Sequence, residues 1–278
     1  MTNIPARYPI DRSFFKVAQP KKGAEPKTII KPFQRNDIIE NPVESKSSVK
    51  SIANKDASFP KILFAITSYN RPSYIDLSLH FLSKWKNDFD IIVIDDCSKN
   101  SKYNEVCAKY GVPLIITDKH HSNYGSGDVL QTVIAIEYAK QNGYDYVVKQ
   151  SQRWICMENP SISLKGLIEK HPESSTFTNS TKSFNIGFRT EFFCMKISDW
   201  IKFVPNLKEF GNRKSLPMVE AFVHGLSKRL QKGNGFTTWD WMGTDRRNPP
   251  PYILWHDRHS PKDYQKVADS LSLNIENF

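Results

Sequence analysis

From Pro60 onward the chain alternates short apolar runs with stretches whose apolar residues recur every three to four positions. Lys61–Thr67 is a continuous apolar run, the pattern of a strand covered on both faces. Ser68-Tyr69-Asn70-Arg71-Pro72 breaks it, and Pro72 suits the first turn of a helix. Ile75, Leu79 and Leu82 then recur at helical spacing, flanked by Leu77, Phe81 and Trp85, which predicts a helix over 73–85. Phe89–Ile94 predicts a second buried strand, Ser101–Tyr110 a helix and Val112–Thr117 a third strand. The next helix opens at Gly125-Ser126-Gly127-Asp128, carries Val129, Val133 and Ile136 on one face and stops at Gly143. Tyr144–Val148 is the fourth predicted strand.

This rhythm predicts an α/β domain, a mostly parallel Rossmann-like sheet flanked by helices. Ligands of such sheets bind beyond the carboxyl ends of the strands. Those ends carry Ser68–Arg71, Asp95-Asp96, Asp118–His121 and Lys149–Trp154. The second half is less regular and reads as α+β. It predicts a helix from Asn159-Pro160 to Lys170, extended chain over Phe184–Lys196 and a helix over Pro217–Leu230. A loop at Gly233-Asn234-Gly235 and a last helix from Ser260-Pro261 toward Leu273 complete it. Residues 1–60 hold seven prolines and little periodicity. The expected organisation is a basic, Pro-rich extension over 1–58 and one domain over 59–278. That domain divides into a nucleotide half (59–155) and an acceptor half (156–278).

Composition narrows the class. The 278 residues, 39% hydrophobic and 24% charged, fit a globular protein. No apolar run approaches the roughly 18–20 residues that span a bilayer, and Met1–Ile10 lacks the apolar core of a secretory signal. A cytoplasmic protein is expected. The net charge of +10 suits a polyanionic partner or substrate. Residues 1–60 carry 11 Lys/Arg against 6 Asp/Glu, half of the excess in a fifth of the chain. Cys97, Cys107, Cys156 and Cys194 form no C-x-x-C pair, so reduced thiols are expected rather than a zinc ribbon, a redox motif or a disulfide scaffold.

Two aspartates at the end of a buried strand are costly unless something hydrogen-bonds them. Asp95 or Asp96 could cap the following helix, which covers one of them well and two poorly. The ribose hydroxyls and base N–H groups of a nucleoside would serve both, with Arg71 and backbone N–H groups of the preceding loop on a diphosphate. The segment strand–Ser68-Tyr69-Asn70-Arg71-Pro72–helix–strand–Ile94-Asp95-Asp96-Cys97-Ser98 resembles the start of the inverting nucleotide-sugar glycosyltransferases of the GT-A fold. The resemblance covers about residues 61–155. It implies that Ser68, Tyr69 and Asn70 line the nucleotide pocket and that Asp95 or Asp96 contacts base or ribose. Asn123-Tyr124-Gly125-Ser126-Gly127-Asp128 is similar to the family's N-x-G segment, which places Asn123, Gly125 and Gly127 close to the donor. The implied reaction moves a sugar, from a UDP-sugar or similar donor, to an acceptor hydroxyl.

One departure bears on the cofactor. The family places Asp-x-Asp after the fourth strand, where it holds a divalent metal on the donor diphosphate. Here that position reads Ser151-Gln152-Arg153. No metal is therefore expected to be required. Lys149 and Arg153 are the expected replacements, since positioned cations stabilise a leaving diphosphate as a metal does. The segment is similar to the K-x-S/T-G-R-Y variant of some GT-A-like bacterial transferases. His256, within Trp255-His256-Asp257-Arg258-His259, matches the family's late histidine as a weak metal candidate, and a packed neutral histidine is the commoner case. The adjacent His120 and His121 are expected to point opposite ways.

An inverting transferase needs a general base, and a carboxylate is usual. Glu191, Glu220, Asp240, Asp245 and Asp257 are available in the acceptor half, with Glu220 and Asp240 foremost. Trp239, Trp241 and Trp255 offer rings for an acceptor sugar or base. The acceptor is read as a surface or capsular glycan or, given the basic extension and Arg213, Lys214, Arg246 and Arg247, as hydroxymethylated bases of phage-type DNA. The alternative is a non-catalytic nucleotide- or nucleic-acid-binding protein on the same fold. No P-loop, G-x-S-x-G, H-E-x-x-H or dinucleotide fingerprint is present.

Overall fold

The computed structural model describes residues 59–99, 102–121, 126–178, 190–202, 237–240, 253–255, 259–275 and 278, with only the backbone described over 237–240 and at 126. All of them from Pro60 on belong to one unit. The first half follows the expected rhythm. Strand β1 (Ile62–Ser68) leads to α1 (Pro72–Leu82), β2 (Asp90–Asp95), α2 (Lys102–Tyr110), β3 (Leu114–Ile116), α3 (Ser126–Gln141) and β4 (Tyr146–Ser151). Pro72 opens α1, and Gly143 takes the left-handed conformation beyond the end of α3 (φ 67°). The second half adds β5 (Trp154–Cys156), α4 (Pro160–Lys170), β6 (Ser174–Thr178), β7 (Phe192–Lys196), α5 (Ile197–Trp200), β8 (Thr237–Asp240), β9 (Ile253–Trp255) and α6 (Pro261–Ser270).

Seven strands form one sheet in the order β3-β2-β1-β4-β7-β6-β8. Strands β1 to β4 pair parallel, β7 is antiparallel to both β4 and β6, and β8 is parallel to β6. Six strands thus run one way and β7 runs against them. β5 and β9 form a separate antiparallel pair. The expected mostly parallel α/β sheet is present.

Alternation along the strands divides the core. Ile62, Phe64, Ile66, Ile91 and Val93 pack with Ile75 and Leu79 of α1, Tyr103 and Cys107 of α2, and Leu164 of α4. Leu63, Ala65, Ile92 and Ile94 face the other way, against Val129, Val133 and Ile136 of α3 and Trp200 of α5. The chain runs outward from β1 to β2 and β3, then returns to place β4 on the other side of β1. The gap between β1 and β4 is therefore the topological switch point, where open α/β sheets bind ligands.

The expected extended segment at 184–196 holds β7 in its last five residues, and 184–189 lie outside the described residues. So do the extension 1–58 and the predicted helix over 217–230. No helix among the described residues is long and apolar enough to cross a membrane. All four cysteines are free. Burial pushes the Cys107 and Cys156 thiols up to about 12 and raises that of Cys194 well above its usual value.

Candidate functional site

The carboxyl ends of β1, β2, β3 and β4 and the first turn of α3 are tied together by side chains. Gln131 of α3 donates to the carbonyls of Ser68 and Ile94, at 2.7 and 2.6 Å, joining the ends of β1 and β2. Gln152, just past β4, accepts from the Ser68 hydroxyl and the Tyr69 N–H, both at 2.9 Å. The Tyr103 hydroxyl meets Ser68 Oγ at 2.6 Å and accepts the Arg71 N–H at 2.8 Å. Burial pushes the Tyr103 phenol up to about 12, so it stays a neutral linker. Ser68 is buried and its hydroxyl is engaged by the protein, whereas Tyr69, Asn70 and Arg71 are exposed at the mouth. Asn70 and Cys97 hold positive φ (51° and 55°), a strained backbone at the ends of β1 and β2.

Both aspartates of the second strand are buried, and the protein supplies their donors. Asp95 accepts from the Ser98 N–H at 2.7 Å and the Ser98 hydroxyl at 2.5 Å. Burial raises its pKa, against the lowering effect of those bonds. Asp96 takes His121 Nδ1 on Oδ1 at 2.7 Å, and His120 Nδ1 and the His121 N–H on Oδ2 at 2.9 and 3.1 Å. The Thr117 hydroxyl lies 3.2 Å from Oδ1 and is shared with the Lys119 carbonyl. The two histidines therefore do not diverge as an extended segment requires. Both turn onto one carboxylate. A Cβ on Gly127 would stand 2.4 Å from Asp96 Oδ2, so the approach of α3 to Asp96 needs glycine there.

Lys149 has a different place from the one its position suggested. It is fully buried and donates to Asp128 Oδ2 and to the Thr190 carbonyl, both at 2.7 Å. Asp128 also accepts from the Thr67 hydroxyl at 2.8 Å. The ammonium is occupied inside the fold and is not presented to a diphosphate. Arg153 is exposed, and among the described residues no carboxylate pairs with it or with Arg71. Both guanidiniums favour ionisation of Tyr74, whose phenol burial nonetheless raises, and Tyr264, packed 4.8 Å from the Tyr74 ring, donates to the Arg153 carbonyl at 2.6 Å. Arg71 and Arg153 thus follow the carboxyl ends of the neighbouring strands β1 and β4.

Trp255 is also corrected. It lies in β9, fully buried, with its ring 5.6 Å from that of Trp154, and offers no face to an acceptor. Trp239 and Asp240 are placed by backbone alone, opposite Phe177 and Thr178 of β6. Asn123, Gly125, Glu220, Trp241 and His256 lie outside the described residues. The end of β4 offers Ser151, Gln152 and Arg153, which do not fit a divalent metal. No group of three or more His, Cys, Asp or Glu side chains that could hold one occurs among the described residues. Sequence reasoning missed Tyr103, Gln131 and Gln152, which act through contacts between distant segments. The histidines were visible, but their shared partner was not.

No family model matches the chain, and no curated protein matches it. Solved structures do. A mannosyltransferase from Pyrobaculum calidifontis, in complex with GDP-Man and Mn2+, superposes with a TM-score of 0.50 at 11% identity, over 76% of this chain and 60% of that one. The fold is GT-A-like. TarS of S. aureus matches with a TM-score of 0.49 at 15% identity, over 78% of this chain and 40% of its own. Glucosyl-3-phosphoglycerate synthase from Mycobacterium tuberculosis, with Mn2+, UDP and glucosyl-3-phosphoglycerate, matches with a TM-score of 0.46 at 10% identity, over 78% and 81%. This GT-A-like chain spans less than two thirds of the length of the first two.

Proposed function

We propose that the chain is a glycosyltransferase that moves a sugar from a nucleotide-sugar donor, a UDP-sugar or similar, to an acceptor hydroxyl, with arginine in place of a metal on the donor diphosphate. The observation that carries this is the position of exposed Arg71 and Arg153 just beyond the carboxyl ends of the neighbouring strands β1 and β4, at the switch point, where Ser151-Gln152-Arg153 stands instead of a carboxylate pair. Two guanidiniums offer bidentate donors to a diphosphate whose charge grows as it leaves. In the reaction the acceptor oxygen bonds to the anomeric carbon. The bond from that carbon to the diphosphate breaks, and the acceptor proton passes to a carboxylate.

Asp240 is our candidate for that carboxylate. It ends β8, which runs in the direction of β4, so its backbone reaches the same edge of the sheet. Three strand spacings separate β8 from β4, about 14 Å, a span suited to a donor nucleotide with its sugar. With Trp255 in the core, the reading of a flipped DNA base keeps only Trp239 and Trp241 of its three rings. A glycan hydroxyl is the acceptor we propose.

The test is thermal stabilisation by nucleoside diphosphates and nucleotide sugars, each with EDTA and with Mn2+. Stabilisation by one nucleotide, unchanged by EDTA and lost in both Arg153→Ala and Arg71→Ala, is expected, with the melting temperature of the free variants unchanged. Stabilisation that needs Mn2+ would overturn the arginine assignment. No stabilisation by any nucleotide would overturn the transferase reading. Nucleotide binding without turnover across a panel of donors and acceptors would favour the non-catalytic binder.

A further inference from the structure

We infer that His120, not Asp96, reads the nucleoside of the bound nucleotide, by accepting a hydrogen bond at Nε2. The inference rests on the nucleotide-binding reading above and specifies its chemistry. Asp96 is buried, and four protein donors crowd its two oxygens. A ligand could reach that carboxylate only by displacing one of them. The imidazole in front of it is held on two sides. A carboxylate cannot donate, so the 2.9 Å contact to Asp96 Oδ2 places a proton on His120 Nδ1, and with one proton on the ring its lone pair is on Nε2. Tyr69 covers one face of the ring, with centroids 4.0 Å apart and planes within 7°. Tautomer and ring plane are thus both fixed before any ligand arrives.

What remains open is useful. The His120 side chain is 36% exposed, and no described residue takes its Nε2. The ring stands beyond the carboxyl end of β3, stacked on Tyr69, which is itself exposed. A carboxylate that orients an imidazole while its second nitrogen is left open is how proteins prepare a histidine to engage a ligand. An acceptor at that point selects a donor. In a base, that is the ring N–H of uracil or guanine, whereas cytosine and adenine present a lone pair there. In ribose it is a hydroxyl. We assign the base, because the aromatic neighbour favours a flat partner.

Calorimetric titration of the full chain distinguishes these. The expected result is that UDP or GDP binds at least about tenfold tighter than CDP and ADP, the scale of one buried polar group left unpaired. Methylation at uracil N3, or at guanine N1, is expected to remove that advantage. His120→Phe keeps a ring on Tyr69 and is expected to bring the ratio near one, and His120→Gln, which keeps an acceptor, to retain part of it. Equal binding of UDP and its N3-methyl form, and of GDP and its N1-methyl form, by the native chain would overturn the assignment without any variant. So would His120→Phe weakening all four nucleotides equally. A loss confined to 2′-deoxy nucleotides would move the contact to ribose and overturn the base assignment. Failure of the native chain to bind any nucleotide would instead overturn the reading on which this one rests.

Discussion

Gly127 shows how tightly single residues set the site. Its missing side chain admits the Asp96 carboxylate, and a Cβ there would stand 2.4 Å from Oδ2. Asp96 cannot retreat easily, because His120 and His121 hold it by both oxygens. Gly127→Ala is therefore expected to lower stability by about 1–3 kcal/mol, the range of overpacking in a well-filled core, as read from urea midpoints. It should also loosen His120 and weaken nucleotide binding. Asp95, one residue away from Asp96, works differently. Its carboxylate holds the Ser98 N–H and hydroxyl, three residues on, and so shapes the turn between β2 and α2. Neighbouring aspartates that look equivalent in sequence serve a local turn and a long-range anchor.

Among elements, α3 is the piece that gathers the site. Its first turn touches the end of β2 through Gly127, β1 through Thr67 and β4 through the Lys149–Asp128 pair. Removing one member of such a pair leaves a charge without its partner, while replacing both with apolar groups restores much of the loss. Asp128 keeps 28% exposure, which softens the penalty. Lys149→Met is expected to cost about 2–4 kcal/mol in chemical denaturation, and the double variant with Asp128→Leu to recover most of it. Elements of this half were legible because each carries its own signal: apolar runs for β1 and β2, helical spacing for α1, and glycine at the end of α3. β5, β6 and β9 were not. They span three to five residues, and Trp154–Cys156 becomes a strand only through pairing with Ile253–Trp255, about a hundred residues away. Trp255 looked like a binding ring for the same reason. A tryptophan in a polar, His-rich segment shows nothing in sequence of the tryptophan it will meet. Lys149 was legible as a special residue, since an ammonium in a strand must have a partner, but Asp128 could be named as that partner only once α3 was placed.

At the scale of the molecule, the two halves into which the sequence divides share one sheet. β4, from the first half, is flanked by β1 and by β7 from the second, and Trp154 packs on Trp255 and Phe192. A fragment of residues 59–156 would expose that edge of β4 and the indole beside it. It is expected to show no cooperative thermal transition by circular dichroism, while the full chain shows one. The four thiols carry a further consequence. Three are sealed in the core with their ionisation suppressed by burial, whereas Cys97 is partly exposed at the strained end of β2, next to Asp96. Alkylation is a reaction of the thiolate. A maleimide dye offered to the native protein should therefore attach at one position without any engineering, and its emission would report directly on what arrives at the carboxyl end of β2.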